Sequence, residues 1–210
     1  MYVFHRAVAL IGLWLAVSVL PATPVHAGSS GNANATESSA FLPVGKATVP
    51  PPGFDGVCDR YAWACGRKAG VLAVGIDMLA LAARINRAVN ETVHQLSDYA
   101  QYGRNEYWEL PTQRGGDCED LALLKKFRLI SAGVPADRLL MATVLDRQQR
   151  PHAVLVVRSQ DGDFVLDSAG DRILNWRDTG YSFLRMQRPD APSRWNAVLA
   201  GGLFPIDPSL

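Results

Sequence analysis

The chain predicts an α+β domain, helices packed on an antiparallel sheet, and three features of the sequence carry that expectation. Two stretches, residues 76–99 and 117–132, repeat their apolar side chains at helical spacing. From residue 139 the period changes, and runs of β-branched and aliphatic residues occupy 139–145, 152–157 and 164–167. Between the last two runs, residues 159–162 end in Asp161-Gly162, a strong hairpin signal.

The elements follow in chain order. Among residues 1–27 only Arg6 is formally charged, and residues 7–20 form an unbroken run of apolar and small residues. Pro21 closes that run, and Val25-His26-Ala27 fits a small-x-small cleavage site. The pattern reads as a signal peptide over 1–27, because a 14-residue run falls short of the roughly 20 residues of a spanning helix. The mature chain is then expected to begin near Gly28, periplasmic or secreted and not membrane-spanning. Residues 28–53 read as a disordered Ser/Asn/Pro linker, ending in the stiff Pro50-Pro51-Pro52-Gly53 stretch. The folded domain is expected over 54–210.

Composition sets limits on function. The 210 residues are 48% hydrophobic and 20% charged, as expected of a globular chain. Charges balance at 21 Lys+Arg against 20 Asp+Glu, with no basic footprint for nucleic acid and no Lys/Arg cluster for anionic lipid.

Within the first helical stretch, Met78, Leu81, Ile85, Val89 and Leu96 mark the buried stripe, with Arg84, Arg87 and Glu91 on other faces. In the second, Asp117 stands where an N-cap belongs, and Asp120 three residues later makes a variant of the capping box. Leu123, Leu124, Phe127 and Ile130 give that helix its expected stripe, and Gly133 and Pro135 end it. If the 159–162 turn holds an even number of residues, His152 and Asp167 share one face of adjacent antiparallel strands.

Three cysteines make an odd count for an oxidising compartment. On one continuous helix, Cys58 and Cys65 would lie about 10 Å apart, too far for a bridge. They therefore either pair across a bend or pack as two small buried hydrophobes. Cys118 stands alone at the start of the second helix. Its dipole favours a thiolate there. With His152 as base and Asp167 as the group that fixes the imidazole, the sequence offers a Cys-His-Asp nucleophile set. A lone helix-terminal cysteine and a strand histidine are also ordinary structural residues, and spacing alone leaves both readings open.

The stretch Gly-Gly-Asp-Cys-Glu-Asp-Leu-Ala-Leu-Leu-Lys at 115–125 resembles the bacterial transglutaminase-like cysteine proteinase family. Pro-His-Ala-Val-Leu-Val-Val at 151–157 and Phe-Val-Leu-Asp-Ser at 164–168 extend the resemblance, which runs over roughly 76–195 and takes in Val89-Asn90, Tyr107-Trp108 and Trp176. It implies a papain-like, transglutaminase-like core and assigns Cys118, His152 and Asp167 as the catalytic triad. Ser168 departs from the Asn that often follows the triad Asp in the family. The substrate class implied is a protein or peptide, a surface adhesin in the best understood periplasmic member. Acyl transfer to an amine, or a non-catalytic periplasmic binding module, are the alternative functions.

Two further expectations concern the surroundings of Cys118. Its backbone N–H is a natural oxyanion donor, with Trp108 or Gln113 as candidates for a second. Asp117, Glu119 and Asp120 place negative charge beside a thiol that should ionise, and hard carboxylate oxygens in such a cluster suit Ca²⁺. The resemblance points the same way, since a calcium-dependent member uses the Asp and Glu flanking its Cys. Asp117 and Glu119 are therefore the expected calcium ligands.

Overall fold

The computed structural model describes residues 40–67, 70–73 and 75–204. The signal peptide expected over 1–27, and the linker up to residue 39, lie outside these residues. The elements are strand β1 (Ala47–Thr48), helices α1 (Val57–Arg60), α2 (Ala62–Cys65), α3 (Met78–Thr92), α4 (Asp98–Tyr102) and α5 (Cys118–Ser131), then strands β2 (Leu139–Leu145), β3 (Pro151–Arg158), β4 (Asp163–Asp167), β5 (Gly170–Asn175), β6 (Ser182–Gln187) and β7 (Trp195–Ala200). All seven strands form one sheet in the order β1-β7-β6-β2-β3-β4-β5, antiparallel throughout. The expected α+β class is the observed one.

The central strands β2 and β3 are buried on both faces, which explains their continuous apolar runs. Leu139, Met141, Ala153, Leu155 and Val157 join one cluster with the helices, while Leu140, Ala142, Val144, Val154 and Val156 join a second on the opposite face. The second face is closed by a segment that the sequence assigned to linker. From Ala40 onward the chain is part of the domain: Leu42 is buried, and its N–H donates to Asp163 Oδ2 at 2.8 Å. The Trp176 indole donates to Ala40 O at 3.2 Å, and β1 pairs with β7. A single buried Leu and the backbone hydrogen bonds of an extended arm leave little trace in composition, so the linker reading fails over 40–53.

The first long helix is shorter than expected. Asp77 caps it, its side chain accepting from the Leu79 and Ala80 N–H groups. It ends at Thr92, after which Val93 turns extended and residues 94–96 run beside Gly115 and Gly116. Leu96 therefore belongs to this crossing strand rather than to a helical stripe. The bend between α1 and α2 at Tyr61 resolves the cysteine alternative: Cys58 and Cys65 are disulfide-bonded with Cα atoms 5.4 Å apart, and Cys118 is free.

Helix α5 corrects a second expectation. Its buried residues are Glu119, Asp120, Leu121, Ala122, Leu123, Lys125, Lys126 and Leu129, whereas Phe127 is exposed. The buried side includes both lysines, to which the apolar spacing gives no pointer. The Lys126 ammonium donates to Ala64 O at 2.6 Å and Gln187 Oε1 at 2.7 Å, joining α2, α5 and β6. Burial lowers its pKa from 10.5 to about 7. Between the folded and unfolded values the unfolded chain binds the extra proton, so stability rises as pH climbs from about 7 towards 10.5. Lys126→Met should remove this rise: denaturant melts at pH 9 and pH 6.5 should differ by up to roughly 2 kcal/mol more in the wild type than in the variant.

Candidate active site

The site begins with a close backbone crossing. Gly116 N–H donates to His94 O at 3.1 Å, and Leu96 N–H donates to Gly116 O at 3.0 Å. Gly115 has a φ of +125°, and a Cβ there would collide with His94 O. A Cβ on Gly116 would lie 2.6 Å from Asp120 Oδ2. Neither glycine can be replaced without moving the crossing strand or the buried carboxylate behind it. Asp117 and Cys118 follow directly, so this crossing fixes where α5 starts and where its first side chains point.

Asp117 occupies the N-cap position of α5, yet its side chain makes no cap hydrogen bond. Instead its Oδ2 accepts from the Asp98 N–H at 3.1 Å. The expected capping box therefore lacks its Asp117 half, and Asp120 Oδ1 accepts from the Glu109 N–H at 2.8 Å, tying down the loop that carries Trp108. Burial raises the Asp120 pKa to about 8, with Asp117 and Asp98 adding negative charge nearby and the Glu109 N–H opposing the shift.

Asp98, Asp117 and Glu119 each offer a carboxylate oxygen within 4.8 Å of the others. Asp98 is the member that sequence reasoning missed; no motif marks it, because its place in the cluster depends on the crossing strand. Its Oδ2 accepts from the Tyr107 N–H, whereas Asp98 Oδ1 and Asp117 Oδ1 are buried with no hydrogen-bond partner among the described residues. Crowded burial has the expected electrostatic result. Asp98 is raised by burial and then by Asp117, and Glu119 is pushed up to about 9 by burial and the same neighbour. Orphaned buried oxygens among like charges are the donor set of a hard cation, so Ca²⁺ fits these residues.

The Cys118 thiol donates to Glu119 Oε2 at 3.1 Å. Its pKa is raised well above the usual thiol range, by burial first and by the Glu119 charge and hydrogen bond next, while the Ala153 backbone N–H opposes the shift. Cys118 thus lies beside Ala153, one residue along β3 from His152.

His152 and Asp167 are joined as expected. The connection between β3 and β4 has four residues, and the register Arg158↔Asp163 and Leu155↔Leu166 places His152 and Asp167 diagonally on one face. His152 Nε2 lies 2.7 Å from Asp167 Oδ1. A carboxylate only accepts, so Nε2 carries the proton and Nδ1 is the basic nitrogen. Nδ1 and the Cys118 thiol are not hydrogen-bonded to each other among the described residues, a common feature of sites without substrate.

The other carboxylate oxygen holds a residue that sequence reasoning did not find. Tyr181 OH donates to Asp167 Oδ2 at 2.5 Å, and the Tyr181 ring stands edge-on to the imidazole, centroids 6.0 Å apart. Tyr181 follows the short 3-10 turn at Trp176–Thr179, and nothing in its local sequence points to Asp167. Burial alone would raise the Asp167 carboxyl, but hydrogen bonds from His152, the Ala169 N–H and Tyr181 hold it at about 2. An open cleft of about 340 Å³ lies against Asp167 and Tyr181, bordered by Arg147, Arg150, Asp171 and Arg172.

Of the two candidate oxyanion side chains, Trp108 is buried in an aromatic cluster, edge-on to Phe54 and Trp195, with its indole N–H unpartnered. Gln113 is exposed in the tight turn between Thr112 and Gly115.

A free thiol opening a helix, beside a strand whose histidine is fixed by a carboxylate on the next strand, defines a papain-like α+β protein of the thiol class. The sequence profile described as bacterial transglutaminase-like cysteine proteinase BTLCP matches residues 44–202, and the chain belongs to that family. Among solved structures, calcium-bound LapG of Legionella pneumophila is similar at 22% identity and a TM-score of 0.51, over 61% of this chain and 73% of that one. The EGTA-treated form of LapG matches at 24% identity and a TM-score of 0.47, over 53% of this chain and 64% of that one, so the match spans less than two thirds of that protein. No curated protein matches the chain in sequence.

Tyr181→Phe should move the Asp167 titration upward from about 2 towards the ordinary carboxylate value. The folded pKa is depressed, so the stabilisation is present above the unfolded value near 3.9 and lost as pH falls through the folded one. The variant should lose about 1.5–3 kcal/mol at neutral pH, the usual worth of a hydrogen bond to a charged group, measured by urea melts with the carboxyl followed by carbon NMR.

Proposed function

We propose that the protein is an exported cysteine peptidase that cleaves a periplasmic or surface protein through Cys118, His152 and Asp167, with Ca²⁺ as a required ion. The observation that carries this reading is the His152 Nε2–Asp167 pair beside the strand residue that the lone free thiol touches. Family membership supports the reaction class. The Cys58–Cys65 disulfide supports an oxidising compartment. A surface adhesin is the substrate type carried over from the family resemblance.

In this mechanism His152 Nδ1 takes the Cys118 proton, and Asp167 keeps the ring oriented and compensates the imidazolium charge. The thiolate attacks the scissile carbonyl. Its oxygen becomes negative at the free N–H groups that open α5, with Cys118 N–H as the first donor. Support for Trp108 as the second donor is its orphaned buried indole N–H. His152 then passes the proton to the leaving amine, and water, deprotonated by the same nitrogen, releases the acyl group from sulfur.

Asp98, Asp117 and Glu119 would hold the cation, and its charge would offset the part of the thiol's raised pKa that comes, after burial, from the neighbouring carboxylates. A calcium-bound form of LapG is consistent with an ion in this fold.

Cys118→Ala, His152→Ala and Asp167→Ala should each reduce peptide cleavage by roughly 10³-fold or more, and the double variants should lose little further, because the three act as a unit. Cleavage by Cys118→Ala at the wild-type rate would overturn the assignment. For the ion, EGTA should lower both the thermal midpoint and the iodoacetamide reactivity of Cys118, and added Ca²⁺ should restore them in the wild type but not in Glu119→Gln. Indifference of both quantities to chelation would show that the carboxylates hold no required cation.

A further inference from the structure

Asp167 is the last residue of β4, at a point where the pairing with β5 shifts register between Val165 and Asp167. It pairs with Gly170 across the two-residue turn Ser168-Ala169. A register shift of this kind re-aims the side chain that follows it. Strand β5 is the edge of the sheet, so ladder hydrogen bonds hold this hairpin from one side only. His152, Tyr181 and the Ala169 N–H hold the Asp167 carboxylate directly, and the backbone that carries it is left to be fastened from elsewhere.

That fastening comes from amide side chains. Asn90 Nδ2 donates to Asp167 O at 2.9 Å, Gly170 O at 3.1 Å and Asp171 Oδ1 at 3.1 Å. One turn earlier on α3, Asn86 Nδ2 donates to Gly170 O at 2.9 Å and Asp171 O at 3.1 Å. Just past the helix, Gln95 Nε2 donates to Ser168 O at 3.1 Å. The carbonyls of residues 167, 168, 170 and 171 are thus all taken by side chains from one side. Asparagine is a poor residue for a helix interior, and Asn86 is fully buried, where Leu or Val would satisfy a packing contact. Apolar packing would set the distance between helix and hairpin but leave the turn free to rock, whereas directed donors fix its orientation.

We propose that Asn90 and Asn86, with Gln95, are positioning residues that lock the β4–β5 turn and so aim the Asp167 carboxylate at His152. They touch no reacting atom and act through Asp167. The proposal rests on the reading of Asp167 as the triad carboxylate, and its test has one readout that needs no substrate.

Asn90→Leu keeps the branching and removes the donors; Gln95→Ala alters an exposed position. Steady-state kinetics and the proton NMR signal of the His152 ring N–H are measured for both. Asn90→Leu should lower kcat by about 10- to 100-fold with KM within about twofold, the range expected from a sub-ångström displacement of a catalytic group. Its His152 N–H signal should shift or broaden. Gln95→Ala should move both quantities in the same direction by a smaller factor. A lower thermal midpoint in Asn90→Leu with wild-type kcat and an unmoved His152 signal would make the amides merely structural and overturn the proposal. If Asn90→Leu does not fold, Gln95→Ala decides, and wild-type behaviour there overturns it. If the wild type cleaves no peptide, the peptidase reading fails, and the NMR signal alone still decides the positioning role.

Discussion

The start of α5 and the acid cluster beside it depend on one backbone approach, the crossing of residues 94–96 against Gly115 and Gly116. It ends the first long helix, starts the second, and leaves no room for a side chain on either glycine. It also brings Asp98 onto Asp117, two residues that the chain separates by nineteen positions. The Cys118 thiol and the acid cluster are therefore placed by the same contact, and the electrostatic burden on that thiol is a consequence of it.

Helix α5 shows what such placement costs. Its buried side holds Glu119, Asp120, Lys125 and Lys126. Lys126 finds two carbonyls, Asp120 one backbone N–H, and Lys125 no hydrogen-bond partner among the described residues, though Asp167 and Asp171 lie near enough to favour its charge. A helix packed this way gains little from its polar residues in stability. The directed bonds of Lys126, Asp120 and Glu119 instead tie the helix to α2, β6, the Trp108 loop and the Cys118 thiol.

Much of the fold was legible in the sequence, and the reasons differ by element. Strands β2, β3 and β4 announced themselves through unbroken apolar runs, because they are covered on both faces or hinge on a four-residue connection. Strands β5, β6 and β7 were not read, being half-exposed or interrupted by register shifts that blur alternation. The α5 stripe was misread because Lys burial has no periodic signature. Of the site, Cys118, His152 and Asp167 were legible through motif blocks, and the His152–Asp167 bond through the parity of one turn. Asp98, Tyr181 and Asn86 come from elements with no local signal, brought in only by tertiary contacts.

The arm at residues 40–49 has a kinetic consequence. Every partner it finds is distant: Asp163 for Leu42, Trp176 for Ala40, Arg185 for Val49 and Asn196 for Gly45, separations of 121 to 151 residues. Contacts of such sequence separation must close long loops before any of them is rewarded, which slows folding. Because β1 pairs with β7, the arm can take its place only once β7 is in the sheet. A chain with the arm undocked would expose Trp176, the apolar face beneath Leu42 and the free edge of β7, surfaces of the kind that lead to aggregation.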